Sequence, residues 1–446
     1  MARKSLYELP GPKGEEFLEL SRRYEPRSMS EQAPVVWRRA EGVWVEDVDG
    51  NRYLDFSSGV LVTNVGHCHP DLIEAVREAA EHMLNCYDFV NPWRVLLAKK
   101  LVEITPDGLD KAFILTTGAE AIEAAVKMAR RATGNYEVFS FHGAFHGRTL
   151  ATLSYGGKKS SPGSRGFGPF LPGVIQAPYP YCYRCPFGKE RPDCSLTCLE
   201  FVDWVYTCEG EGRLCAVLIE PYEGAAGSLI PPAEFVRGLY QWAKEKGALF
   251  IDDEVQASFG RTGRMFCFEH FGIVPDLLCL GKGIASGVPC SAVVGAEWVM
   301  NSLSPGSLSS TYGGNPLSSR AALASIEIIE RERLWENAAK VGKAMMQRLK
   351  EWEERHEVVG EARGMGLAIG VEVVRDKRTK EPAPDLAKAI IMEAARRGLV
   401  MIAPIGFYGN VLRIAPPLII TEEEAMDGLD RLEDALKAVE RGRVAA

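Results

Sequence analysis

From about residue 69 onward the chain alternates amphipathic helical patterns with short apolar runs. The runs at 112–115, 136–141, 174–177, 215–219, 248–251, 277–280 and 292–294 have the length and composition of buried strands. Leu72, Val76 and Ala79 mark one helix face, 95–102 another, and 119–131 and 232–246 read as further helices. Strands alternating with helices predict an α/β fold, a mainly parallel seven-strand-type sheet covered on both faces. Upstream, apolar runs at 43–48 and 53–56 flank Asp49-Gly50-Asn51, a hairpin signal, and the Pro- and charge-rich stretch 11–32 reads as an arm. After Asn315-Pro316 one long helical pattern runs from Ser318 to about Trp352. Strands within 360–373, a helix through Arg397, a strand at 411–414 and a final helix opening on Thr421 and three glutamates complete the chain. The pattern predicts an arm and hairpin (1–60), a large domain (61–325) and a C-terminal α+β unit (326–446) that forms a small domain with the hairpin.

Composition narrows the class. The 446 residues are 46% hydrophobic and 25% charged, ordinary globular proportions that exclude a disordered, collagenous or coiled-coil chain. The net charge of −8 carries no single-sign block, so no electrostatic grip on nucleic acid is expected. No apolar run approaches membrane-spanning length, and residues 1–10 lack the apolar core of a secretory signal; a soluble, cytoplasmic protein is expected. Only 14 residues are Asn or Gln, beside abundant Glu, Arg and Lys, which points to a heat-loving source. Cytosolic disulfides occur in such organisms, so the 11 cysteines do not decide the compartment.

Three short stretches carry chemistry. At 112–121 a strand runs through Thr116-Thr117-Gly118 into a helix beginning near Ala119; free N–H groups at such a start suit a phosphate, though alone the signal is weak. At 248–256 an apolar strand meets Asp252, Asp253 and Glu254 at its carboxyl end, where open α/β sheets bind ligands. Those acids read equally as a metal site or a solvated loop. At 276–287 Lys282 stands between Gly281 and Gly283 directly after a buried strand, a context that desolvates an amine and makes it a nucleophile toward carbonyls. Together a phosphate-ready helix start, a strand-end aspartate and a glycine-flanked lysine are the parts that hold pyridoxal 5′-phosphate.

The wider motif set resembles the class III (ω-) aminotransferases of the fold-type I pyridoxal-phosphate enzymes over almost the whole chain. The matching stretches are Thr117-Gly-Ala-Glu-Ala121, Phe141-His142-Gly143, Ile219-Glu220-Pro221, Asp253-Glu-Val-Gln256, Gly260-Arg-Thr-Gly263, Lys282-Gly283, Thr311-Tyr-Gly-Gly-Asn-Pro316 and Arg413 through Leu418. The resemblance implies that Lys282 is the Schiff-base lysine and proton carrier and that Asp253 pairs with the pyridine nitrogen. It implies that Phe141 stacks on one ring face with His142 beside it, that Val255 packs on the other face, and that Gln256 reaches the 3′-oxygen. Gly118 and Ala119, beside Thr117, would bind the phosphate, with Glu220 among the cofactor residues. Thr311 would reach the phosphate of the other subunit of a homodimer, and Arg413 would take a substrate carboxylate.

One departure bears on the substrate. Ornithine and 4-aminobutyrate aminotransferases carry Glu-Pro-x-Gln-Gly-Glu-x-Gly, whose second Glu masks the arginine; here that position is Ala225. With Val60, Leu61 and Tyr87 (and Phe89) making the entry apolar, the expectation is a broad amine or ω-amino acid donor and a pyruvate-like acceptor. An amino-acid racemase or a decarboxylating aminotransferase is the alternative within the same chemistry. Apart from these motifs stand Cys182-x₂-Cys185 and Cys194-x₃-Cys198, which read as a zinc site, as disulfides or as plain thiols. On those cysteines rests the remaining alternative, a metal-binding interaction protein, which leaves every other motif unexplained. His67 and His69 read as a loop-to-helix junction, the other cysteines as core filler, and Lys158 and Lys159 as exposed loop lysines.

Overall fold

The structure, a computed structural model, describes residues 6–444 except 158 and 160, so Lys158 lies outside the described residues. All seven apolar runs are strands of one sheet: β1 (Lys111–Leu115), β2 (Glu137–His142), β3 (Val174–Pro178), β4 (Leu214–Ile219), β5 (Leu249–Asp253), β6 (Leu277–Leu280) and β7 (Ser291–Gly295). Their spatial order is β1-β7-β6-β5-β4-β2-β3. Only β7 runs antiparallel to its neighbours β1 and β6; every other pair is parallel. Every residue of β4 is buried, as a parallel strand covered on both faces requires. The helix Gly118–Thr133 packs on one face through an alanine-rich stripe that lets it lie close to the strands.

Two smaller sheets stand apart. Trp37–Glu41, Trp44–Asp47 and Arg52–Asp55 form a meander around the expected hairpin, and Leu399–Val400 adds in parallel to Arg52–Asp55. Val359–Met365 and Ala368–Asp376 form a hairpin flanked by Glu381–Pro382 and Val411–Ile414. No helix among the described residues is long and apolar enough to cross a membrane.

Three expectations are corrected. The arm contains a helix, Pro12–Tyr24. Its N-cap, Gly11, has no side chain to offer, and Asp49 in the hairpin turn accepts from the Lys13 and Gly14 amides at 2.9 Å instead. The single long helix is two, Pro316–Arg331 and Leu334–Arg355, broken where Arg333 adopts φ 50°. The first packs on Pro70–His82 and Pro92–Glu103, the second on Val359–Met365 and the terminal helix Glu422–Val444. Lys159 is not a free surface lysine: its ammonium donates to the carbonyls of Leu153, Ser154 and Gly156.

The terminal helix supplies a pH prediction. Glu433 meets Arg348 at 2.8 Å, Lys437 at 3.1 Å and His356 at 3.2 Å. Burial opposes its ionisation, but these donors outweigh it and hold the carboxyl down at about 2 against an ordinary 4.5. A depressed acid stabilises the fold above its unfolded pKa and loses that contribution as pH falls through the folded one. Acid unfolding is therefore expected to steepen between pH 4.5 and about 2, and Glu433→Gln to flatten that part of the profile. An unchanged slope in the variant would refute the assignment.

Candidate active site

The carboxyl ends of the parallel strands open onto a cavity of about 290 Å³. Strand alternation decides which acid faces it. Asp253 lines the cavity, whereas Asp252 and Glu254 point to the opposite face of β5 and are buried in the core. Burial raises both of these, Asp252 well above its ordinary value and Glu254 to about 8. They are neither a solvated loop nor a metal site, and among the described residues no group of three ligand side chains is arranged to hold a metal ion. Asp253 accepts from the Val255 amide at 3.0 Å and pairs with His146 Nδ1 at 2.6 Å.

Lys282 enters from a short 3₁₀ turn after β6, itself at φ 43°. A β-carbon on Gly283 would lie 2.3 Å from Asn64, so the turn needs its glycine. Burial lowers the lysine's pKa, Asp253 and Glu220 work against that shift, and Arg413 adds to it. At the other end, Thr117 and Glu120 form a capping box that fixes the helix start, leaving Thr116, Gly118 and Ala119 on the cavity wall. A β-carbon on Gly118 would stand 2.8 Å from Val255, and one on Gly147, at φ 139°, would stand 2.7 Å from Ala119. The wall is thus a bare-backbone cradle beside a helix N-terminus, with a buried carboxylate and a desolvated amine in the same cavity. That donor set fits a phosphorylated pyridine.

The aromatic partner is not the one expected. Phe141 is fully buried in β2, its ring edge-on to Tyr179 at 5.7 Å and Phe235 at 5.9 Å, and His142 is exposed at the strand end. The chain contains Phe-His-Gly twice, and the second copy, Phe145-His146-Gly147, lines the cavity together with Val255. Glu220 positions this copy by accepting from the Phe145 amide at 2.6 Å while also accepting from Gly224 at 3.2 Å. Val62, not Val60 or Leu61, reaches the cavity: Val60 is exposed and Leu61 is packed inside. Gln256 accepts from the Tyr222 hydroxyl at 3.2 Å and packs against Gly224. Tyr87 and Thr311 lie on the exposed surface, outside the cavity of their own subunit.

Arg413 is buried, donates to the Gly224 carbonyl at 2.8 Å and keeps Nε without a partner. Ala225 lies next to that carbonyl, on the wall of a second cavity of about 270 Å³ that shares Phe145, His146 and Gly147 with the first. Glu223, absent from the sequence reading, is fully buried behind Gly143 with neither carboxyl oxygen hydrogen-bonded. Burial and the nearby Glu220 push its pKa well above the ordinary carboxylate value. His67 pairs with Asp55 at 2.8 Å and His69 caps a helix, so neither is a spare ligand. Of the other cysteines, Cys215, Cys267, Cys279 and Cys290 are core residues, but Cys68 and Cys208 are exposed and Cys86 half-buried.

A model of the family described as Aminotransferase class-III matches residues 26–436. Leucine/methionine racemase of Thermococcus litoralis is 39% identical over 437 residues, 96% of this chain and 97% of that protein. The probable 4-aminobutyrate aminotransferase of Bacillus subtilis is 38% identical, covering 90% of this chain and 92% of its own. Among solved structures, a thermostable (S)-enantioselective ω-transaminase from Thermomicrobium roseum superposes with a TM-score of 0.89 at 33% identity, covering 95% of this chain and 98% of that one.

Proposed function

The chain belongs to the class-III aminotransferases, enzymes dependent on pyridoxal phosphate, and from that premise we propose that it moves an amino group from an amine or ω-amino acid to a pyruvate-like keto acid. The observation that carries the substrate reading is Arg413: a buried guanidinium whose Nε has no partner and whose Nη2 donates to the Gly224 carbonyl, one residue before Ala225, the position of the masking glutamate. With no carboxylate at position 225, nothing in this loop would compete with a small substrate carboxylate for that guanidinium.

Bound in the cavity, pyridoxal phosphate supplies an electron sink for the pair left at the donor's α-carbon. The rest of the chemistry belongs to the chain. Lys282 Nζ, its pKa lowered by burial, would take the proton from the donor's amine-bearing carbon and hand it to the cofactor carbon within the same half-reaction, the acceptor half running that transfer in reverse. Asp253, held by His146 and the Val255 amide, keeps a positive ring nitrogen charged. Phe145 and Val255, both on the cavity wall, would hold the ring between them and exclude water, and the Gly118 and Ala119 amides would receive the phosphate. The catalytic unit is a homodimer in which Thr311 reaches the cofactor phosphate of the other subunit.

A panel of ω-amino acids and simple amines, each assayed with pyruvate and with α-ketoglutarate, tests the reading. Turnover with pyruvate supports it; a strict demand for α-ketoglutarate overturns it. Ala225→Glu should place a carboxylate beside Arg413 and raise KM for pyruvate about tenfold, equivalent to ~1.4 kcal/mol. An unchanged KM would show that Arg413 does not bind the acceptor.

A second reading rests on Glu223. A buried carboxyl without hydrogen-bond partners, set behind Gly143 of the second cavity's wall, is a candidate second acid–base group, which transfer does not require and racemisation does. Incubating one L-amino acid without keto acid separates the two: accumulation of the D-form identifies a racemase.

A further inference from the structure

The four cysteines of the 182–198 segment converge although the chain holds them in two distant pairs. Cys182 opens the 3₁₀ turn Cys182–Arg184 and Cys185 follows it. Cys194 accepts from the Thr197 amide at 3.0 Å, and Cys198 lies in the first turn of the helix Thr197–Glu209. All four line a single small cavity of about 30 Å³, room for one ion or one water. Lys189 and Arg191 share its wall; Arg191 also faces Glu234 at 3.5 Å.

We propose that Cys182, Cys185, Cys194 and Cys198 bind a structural zinc ion, and that this ion braces the 220–227 loop beside the substrate cavity. Both pairs have the two- or three-residue gap of zinc knuckles, and one Zn²⁺ with four thiolates carries two negative charges, which Lys189 and Arg191 offset. Binding displaces four thiol protons to solvent and changes no oxidation state. Among the described residues no set of three ligand side chains is already arranged around an ion, so the proposal requires the thiols to turn inward on binding.

The brace follows from Arg184, inside the first knuckle, and Tyr181, directly before it. Tyr181 and Arg184 both donate to the buried Glu372. Glu372 also receives Arg363 at 2.8 Å, and the same guanidinium donates to the Gly227 carbonyl at 2.8 Å. A fixed knuckle therefore holds Glu372 and Arg363, which pin the end of the loop that carries Glu223 and Ala225. This second half of the proposal rests on the function proposed above; metal binding does not.

Metal analysis of untagged holoenzyme from zinc-supplemented culture should find one zinc per chain, with X-ray absorption giving four sulfurs at about 2.3 Å. Titration with an organomercurial should release that zinc, and Cys182→Ser/Cys198→Ser should lose it while Cys208→Ser, outside the cavity, keeps it. Zinc-free enzyme should show a several-fold higher KM for the amino donor with a smaller change in kcat. Wild-type protein that neither carries zinc nor takes it up from zinc chloride overturns the site, as does an intact mass showing disulfides among these cysteines. Zinc bound with KM unchanged on removal overturns the brace alone.

Discussion

Lys282→Ala is expected to reduce kcat/KM by at least about 10⁴-fold, the upper range for loss of a positioned acid–base group, since nucleophile and proton carrier disappear together. Nothing nearby substitutes for it. Lys159, the lysine closest in sequence context, is tied to three carbonyls, and Arg413 stays protonated at any working pH. The effect depends on the turn as much as on the amine: burial there lowers the Lys282 pKa and favours the free base. Lys282→Arg, which keeps charge but not nucleophilicity, should be nearly as inactive. Turnover, the visible absorbance of the purified protein and borohydride labelling mapped by mass spectrometry check this together. A colourless Lys282→Ala enzyme with turnover within tenfold of wild type would refute the mechanism.

Asp253→Asn is expected to cost about 10²- to 10³-fold in kcat, the range for removing one member of a buried charge pair worth ~3–5 kcal/mol. The asparagine keeps the volume and the hydrogen bond from Val255 but not the charge that holds a ring nitrogen protonated. His146→Ala should lose less and in the same direction, because the imidazole orients Asp253 and does not itself carry the charge. The ratio of the two losses is the useful measurement. If His146→Ala costs more than Asp253→Asn, the carboxylate is not the group that matters.

The sheet was readable because parallel strands covered on both faces must be nearly all apolar, and seven such runs stand out from their surroundings. Lys282 and Asp253 were readable for a related reason: a charge or a glycine pair at the end of a buried strand conflicts with its neighbours unless it has work to do. The aromatic contact was not. Phe141-His142-Gly143 and Phe145-His146-Gly147 are the same tripeptide, and only the end of β2 at His142 distinguishes them. A residue still in the ladder, as Phe141 is opposite Ala177, is committed to the core; a residue three beyond the strand is free to turn into the cavity. Asp252, Asp253 and Glu254 show the same rule, since alternation along one strand sends the middle acid one way and its neighbours the other. Arg333 breaks a helix with neither Gly nor Pro to announce it, because the two halves pack on different parts of the molecule. Glu223 did leave a mark, standing where the ornithine and 4-aminobutyrate motif has Gln, but only its burial without a partner shows that the change matters.

The parallel pairing of Arg52–Asp55 with Leu399–Val400 has a consequence for synthesis. The first small sheet to leave the ribosome lacks its fourth strand until nearly the whole chain has been made. At ~5–20 residues per second that delay is tens of seconds, during which the edge of Arg52–Asp55 stays open to solvent and to other nascent chains. The large sheet waits less: the only neighbour of β1 is β7, the last of the seven to emerge, but β7 is complete by Gly295, well before Leu399. Folding on the ribosome should therefore yield a cofactor-sized core early, with the two chain ends joined last, and release factors or chaperones acting late should affect yield more than those acting early.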